Sequence, residues 1–264
     1  MWVRSPIAAC LLLLSPSLPA QQAAADFDQQ HSEFSEVLAR VVHAGTVDYA
    51  ALQRDRKLLD HYRDRLAAVA DTTLRTWTRD QQLAFWINAY NANVLSTIAD
   101  HYPLSRGTLV GLAFPANSIW QVPGAFKAAR HRVAGRLRSL DNIEHDIVRP
   151  GFREPRVHLA LVCAARGCPP LRGEPFVSNR LNAQLDDQTR VYLGDRDHGL
   201  SWDSGAKRLA ISSIFKWFAD DFAAGGGVRG FLAQHVGDPA VRAAVRDTTN
   251  SLRYLDYDWT LNER

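Results

Sequence analysis

Apolar positions along this chain recur at helical spacing over long stretches and at strand spacing only in short ones. Over Asp26–Val42, the residues Phe34, Val37, Leu38 and Val41 fall on one side of a helix that Gly45 ends. Ala50–Ala70 repeats the pattern, with Leu52, Leu59, Tyr62 and Leu66 inward and Arg and Asp outward. Thr78 and Gln81 make a capping box, which predicts a third helix running to about Ala99, before Pro103. Leu83, Trp86, Ile87, Tyr90, Val94 and Ile98 form its stripe, and Phe85 and Leu95 lie outside that stripe. A helix apolar nearly all round is a buried one. It nevertheless carries Asn88, Asn91 and Asn93. A buried amide left unpaired costs about 1–3 kcal/mol, so these side chains are expected to tie down loops or to orient a functional group.

Beyond this helix, Leu104–Gly124 has no period and is expected to hold short helical turns. Arg132–Leu140, around Gly135, predicts a hairpin or a bulged strand. Asp141 opens a short helix with Glu144 in capping-box position, His145 one turn on, and Pro150 to close it. Val157–Val162 is apolar in both alternating sets, which predicts a central strand covered on both faces. Pro169-Pro170 cannot extend a ladder, so the strand gives way to a tight loop, Cys163–Cys168. Ser178 is expected to cap a helix over Asn179–Leu193. Leu200–Trp202 and Arg208–Ile211 read as a hairpin, and Ser212 or Ser213 caps a helix to Phe222. Two short helices follow Gly225–Gly227, the second from about Pro239. Leu252–Asp256 is a last strand with Trp259 behind it. Seven to nine helices and four to six short strands, with hairpins between helical blocks, predict an α+β fold: a small, mostly antiparallel sheet surrounded by helices.

Composition narrows the function classes. The chain has 264 residues, 46% hydrophobic and 22% charged, with a formal charge of +3. That is ordinary for a globular protein and gives no reason to expect nucleic acid as a partner. Arg4 followed by the apolar run Ile7–Leu14 and small residues reads as a signal peptide over residues 1–25, cleaved after Ala20 or Ala25. The run is too short to span a bilayer. Ile7–Cys10 resembles a lipoprotein box, but the apolar run continues past Cys10, which disfavours lipidation. The expected product is a periplasmic or secreted protein, where disulfides persist. It would be one domain, with a helical part over 26–75 and a core over 76–264.

Both cysteines of the expected mature chain, Cys163 and Cys168, lie in one loop. The spacing leaves four readings open: a disulfide, a nucleophilic Cys163, a zinc site with one or two histidines, or two inert buried thiols. Zinc is the least favoured, since the spacing matches no finger, and no other cofactor is implied. In a regular strand, His158 and Cys163 would face opposite sides, so His145 is the expected base for any thiol. There is no Gly-x-Ser-x-Gly and no His-Glu-x-x-His. Gly225–Gly227 follows a helix and precedes no Gly-Lys-Ser/Thr, so it is not a phosphate loop.

Four blocks carry a resemblance: FWINAYNAN (Phe85–Asn93), SLDNIEHDIVRP (Ser139–Pro150), VHLALVCAARGCPPL (Val157–Leu171) and YLDYDWTLN (Tyr254–Asn262). In this order they resemble the uncharacterised DUF547 family. The resemblance implies no activity. It does add weight to Trp86, Asn88, Asn91, Asp141, Glu144, His145, His158, Cys163 and Cys168. One departure is Ala164, where glycine is expected after the first cysteine. The leading expectation is a thiol-dependent hydrolase or acyl-transfer enzyme of papain- or transglutaminase-like layout. In it Cys163 is the nucleophile, His145 the base, Asp141 or Glu144 the orienting carboxylate, and Asn88 a polarising group, with Asn91, His158, Trp86 and Cys168 in binding roles. The alternative is a non-catalytic binding module with a structural Cys163–Cys168 disulfide. It would take a small-molecule, peptide or cell-envelope ligand.

Overall fold

The computed structural model describes residues 27–107 and 109–264. The expected signal peptide, its cleavage sites and Cys10 lie outside the described residues. The fold is α+β, with ten α-helices and three small sheets among the described residues. Helices α1 (Ser32–Val41), α2 (Tyr49–Arg54), α3 (Lys57–Ala68) and α4 (Asp71–Leu74) lead into α5 (Arg79–His101). The two-stranded ribbon β1 (Val42–His43) and β2 (Thr46–Val47) joins α1 to α2. The Ala50–Ala70 stretch is thus two helices, not one. Asp55 leaves helical geometry between them, and the Arg56 guanidinium bonds Asp60, Asp100 and Ser96, anchoring α3 to α5.

Helix α5 is the spine. The Thr78 hydroxyl accepts from the Gln81 N–H, and the Gln81 amide oxygen accepts from the Thr78 N–H in return. Every residue from Leu83 to Ala99 is buried. The expected asparagine partners are there. Asn88 donates to the Phe176 carbonyl at 2.7 Å and accepts from the Phe176 N–H at 3.0 Å. Asn91 donates to the Ala160 carbonyl and accepts from the Val162 N–H, both at 2.9 Å. Asn93 bonds the Ala89 carbonyl of its own helix and accepts from Arg63.

The Asn91 clamp explains the main departure from the sequence pattern. Val157–Val162 is not a strand. Pro155–Leu159 forms a 3-10 turn, started by the Glu154 carboxylate, which accepts from the Arg156 N–H at 3.2 Å. Among the described residues no strand flanks the segment; a side-chain amide meets the carbonyl and N–H that a neighbouring strand would have met. Burial on both sides was read correctly, but its cause is α5, not a sheet. Because the segment coils, His158 and Cys163 do not face opposite sides; both line one cleft.

Hairpin β3 (His131–Val133) and β4 (Arg136–Arg138) turns through Ala134 and Gly135, both at positive φ. A π-helical turn, Asn142–Val148, runs into α6 (Arg149–Phe152). Its start is not capped by Asp141. Ser139 Oγ accepts from the Asn142 N–H instead. Nor does Pro150 close the helix, which ends at left-handed Arg153. Helix α7 (Leu181–Gly194) begins later than expected and has no side-chain cap; the Leu181 N–H donates to the Ser178 carbonyl at 3.5 Å instead. A sheet of β5 (Leu200–Asp203), β6 (Arg208–Ile211) and β7 (Ser251–Tyr254) follows, antiparallel between β5 and β6 and parallel between β6 and β7. Between β6 and β7 come α8 (Ile214–Trp217), a 3-10 turn at Ala219–Phe222, α9 (Gly227–His235) and α10 (Pro239–Arg246). These pack a second core around Phe215, Phe222 and Leu232, distinct from the core around α5. After β7 the chain returns to the first core. Leu261 pairs with Ala165, and the Asn262 carbonyl accepts from the Val47 N–H. Among the described residues, no helix is long and apolar enough to cross a membrane.

Replacing Asn91 with leucine keeps the branched four-atom side chain but strands the Ala160 carbonyl and Val162 N–H in the core. The expected loss is about 1–3 kcal/mol in urea or thermal unfolding. An unchanged midpoint would show that neither group depends on the amide.

Candidate functional site

A cleft of about 650 Å³ opens where the two cores meet. Its walls are aromatic. Trp120 meets Trp259 edge-on with ring centres 5.5 Å apart, and Trp259 lies 4.6 Å from Tyr257 and 5.9 Å from Trp217. Trp259 therefore lines the cleft rather than backing the last strand. Trp217 is 47% exposed, a large apolar side chain held at the cleft mouth.

Cys163 and Cys168 form one face of the cleft. They are joined, with an S–S distance of 2.05 Å. A sulfur in that bond carries no thiolate, so the nucleophile assigned to Cys163 does not exist in this state, and neither sulfur is a thiolate ligand for zinc. The loop between them is fixed from outside. Arg166 N–H donates to the Thr260 carbonyl and Gly167 N–H to the Asp258 carbonyl, both at 2.8 Å. A side chain on Gly167 would meet Asp258 backbone at 2.9 Å, so only glycine permits this approach. Ala164 sits at φ 59°, in the left-handed region, which is why glycine is the natural residue there. Tyr257 reaches both sulfurs; its hydroxyl lies 3.3 Å from Cys163 Sγ and donates to Cys168 Sγ at 3.1 Å. The Cys163 N–H also donates to Cys168 Sγ, at 3.0 Å.

A chain of polar groups reaches the same cleft through Glu144 and His158. Arg149 donates to both Asp221 oxygens, at 2.6 and 3.1 Å, and its guanidinium covers the Phe218 ring at 5.0 Å. This pairing, with the His158 bond, holds the Asp221 carboxyl below its usual range. An ionised Asp221 accepts, so His158 Nε2, 2.7 Å away, carries the hydrogen. The His158 ring stacks on Phe218, with centres 3.9 Å apart. Burial pushes the His158 pKa down to about 4, against the pull of Asp221. Its other nitrogen, Nδ1, has no hydrogen-bond partner and stands 3.9 Å from Glu144 Oε1. Glu144 is raised above the usual carboxylate range, chiefly by burial, despite a hydrogen bond from Tyr90 and the nearby His145. Glu144 and His158 thus face each other as a carboxyl that favours its proton and an imidazole with a free lone pair.

Of the nine residues singled out in the sequence, Asp141, Glu144, His145, His158, Cys163 and Cys168 line the cleft. His145 is exposed, and its Nδ1 accepts from Arg149 at 3.1 Å. Asn88, Asn91 and Trp86 do not line it. Both ends of the Asn88 amide are held by Phe176 backbone, so it has no free group with which to polarise a substrate. Trp86 is buried against Phe85, with the Arg138 guanidinium over its ring at 5.2 Å. The sequence reading missed Tyr90, Arg149, Asp221 and Tyr257. Tyr257 stands in the quoted YLDYDWTLN block, and Asp221 lies in the 3-10 turn Ala219–Phe222 after α8, but neither spacing marks chemistry.

Comparison with known proteins gives a family match and nothing finer. Residues 74–193 match the family model described as "Protein of unknown function, DUF547". Three of the four resemblance blocks fall inside that match, and Tyr254–Asn262 falls outside it. No curated protein and no solved structure matches the chain.

Burial sets a pH dependence. His31 and His131, like His158, are pushed down to about 4, in each case chiefly by burial. Unfolded histidines bind protons near 6.5, so the unfolded state takes up protons first. The stability these groups give is present above pH 6.5 and lost as pH falls toward 4. Each should cost about 2 kcal/mol between pH 7 and pH 5. Glu144, raised when folded, works the other way and offsets part of the loss. Urea midpoints should fall from pH 7 to pH 5, and His158→Gln should shrink the drop. A flat profile would show that these rings titrate normally.

Proposed function

We propose that this chain is an exported binding module whose cleft takes a small ligand with an aromatic or apolar body and one polar group. The observation that carries the reading is the cleft itself: about 650 Å³, walled by Trp120, Trp217, Tyr257 and Trp259, with its polar groups gathered at Glu144 and His158. Sites for small molecules have this character, mostly apolar with few placed polar groups. The aromatic walls would stack on the ligand's faces. Protonated Glu144 would donate to a carbonyl, or His158 Nδ1 would accept an N–H. The Cys163–Cys168 bond supports an oxidising compartment and hence export. A thiol hydrolase is not retained, because its nucleophile is bonded to Cys168.

N-phenyl-1-naphthylamine, neutral with two aromatic faces and one N–H, is a suitable fluorescent probe. It should bind saturably at one site, and Trp217→Ala should weaken it by about tenfold, ~1.4 kcal/mol. Trp217 is exposed enough for the variant to fold. Non-saturable binding, or equal affinity in the variant, would refute the cleft as the binding site.

A further inference from the structure

The disulfide is not symmetric in its surroundings. Both sulfurs' residues line the cleft, but Cys163 is half-buried, whereas Cys168 is only 6% exposed. Cys168 Sγ accepts from the Cys163 backbone N–H at 3.0 Å and from the Tyr257 hydroxyl at 3.1 Å, whereas Cys163 Sγ shares that hydroxyl at 3.3 Å and has no backbone donor among the described residues. A neutral disulfide sulfur is a weak acceptor and gains little from two donors. A thiolate on the same atom gains much more, because hydrogen bonds to ionised acceptors are the strong ones. The Tyr257 pKa is raised by burial, so the phenol keeps its proton to donate. The backbone donor is held in place, since Asn262 N–H bonds the Ala164 carbonyl at 3.0 Å and Leu261 pairs with Ala165. The arrangement resembles an oxyanion hole, with sulfur as the atom that receives charge.

We infer that the Cys163–Cys168 disulfide is a thiol–disulfide exchange centre, in which Cys163 is the sulfur attacked and Cys168 the leaving group, and whose substrates are thiols beside an aromatic or apolar group. An incoming thiolate enters the cleft and attacks Cys163 Sγ. A bond forms between the two sulfurs as the Cys163–Cys168 bond breaks. The electron pair of the broken bond stays on Cys168 Sγ, where the Cys163 N–H and Tyr257 O–H meet it. A second equivalent of thiolate attacks the substrate sulfur of the mixed disulfide. This joins the two substrate sulfurs and leaves Cys163 as a thiolate. The two thiols are oxidised to one disulfide, and the protein disulfide is reduced to two thiols. The substrate class deepens the ligand reading of the cleft and rests on it. The direction of attack rests only on the asymmetry at the sulfurs.

The direction can be read on the unmodified sequence. Trypsin cleaves after Arg156, Arg166 and Arg172, so Cys163 and Cys168 leave in separate peptides. The native protein is treated with benzyl mercaptan and quenched early with N-ethylmaleimide. The benzylthio group should sit on the Cys163 peptide and the maleimide on the Cys168 peptide. Benzyl mercaptan should open the bond faster than 2-mercaptoethanol does. Tyr257→Phe keeps the ring but removes one donor, and should slow opening roughly tenfold or more while the preference for Cys163 persists. A benzylthio group on Cys168, or on both cysteines equally, would overturn the proposal, as would wild-type opening rates in Tyr257→Phe. Equal rates for the two thiols would overturn the substrate class. None of these results alters the N-phenyl-1-naphthylamine titration, so failure of the exchange centre and failure of the ligand site are told apart.

Discussion

The Asn91 side chain decides what the most apolar stretch of this chain becomes. Its amide meets the Ala160 carbonyl and the Val162 N–H from inside a buried helix. Buried backbone groups must be paired, and strand pairing is the usual solution. Here a helix supplies it through a side chain, and Asn88 does the same for Phe176. The consequence is geometric. Freed from a ladder, the segment coils through the Pro155–Leu159 turn and delivers His158 to the same cleft as Cys163. The asparagines that looked like candidates for chemistry are what place the chemistry. They are spent on backbone and have nothing left for a ligand.

A second layer of constraint comes from charge. Arg149 fixes Asp221, Asp221 fixes the tautomer of His158, and His158 presents a free lone pair toward Glu144. Each link rests on burial, which strengthens the pairs and penalises isolated charges. The chain draws its members from the π-helical turn, α6, the 3-10 turn at Pro155 and the turn after α8. It therefore crosses between the two cores, and so does the aromatic wall. Trp120 packs with the first core and Trp259 beside it, while Phe218 packs against the second.

Local features were legible in the sequence, and long-range ones were not. The α5 capping box, the β3–β4 turn and the β5–β6 hairpin are written in neighbouring residues and fold as read. The need of Asn88 and Asn91 for partners was legible too, since an unpaired buried amide is costly. Their partners were not, because Phe176 and Ala160 lie 88 and 69 positions away. The false strand at Val157–Val162 has the same origin. Burial on both faces is common to a central strand and to a coil pressed on an apolar helix, and periodicity alone cannot separate them. Within the site, the six cleft residues read from the motifs stand close together in sequence, between 141 and 168. Asp221 and Tyr257 come from the distant C-terminal half, and only the fold brings them in.

The central claim is that this cleft holds a disulfide and not a thiol. Intact mass of residues 26–264, denatured with iodoacetamide and without reductant, tests it most directly. The account predicts no alkyl group on Cys163 or Cys168, and one on each after reduction. Two alkyl groups before reduction would contradict it and would return the thiolate to the centre of the site.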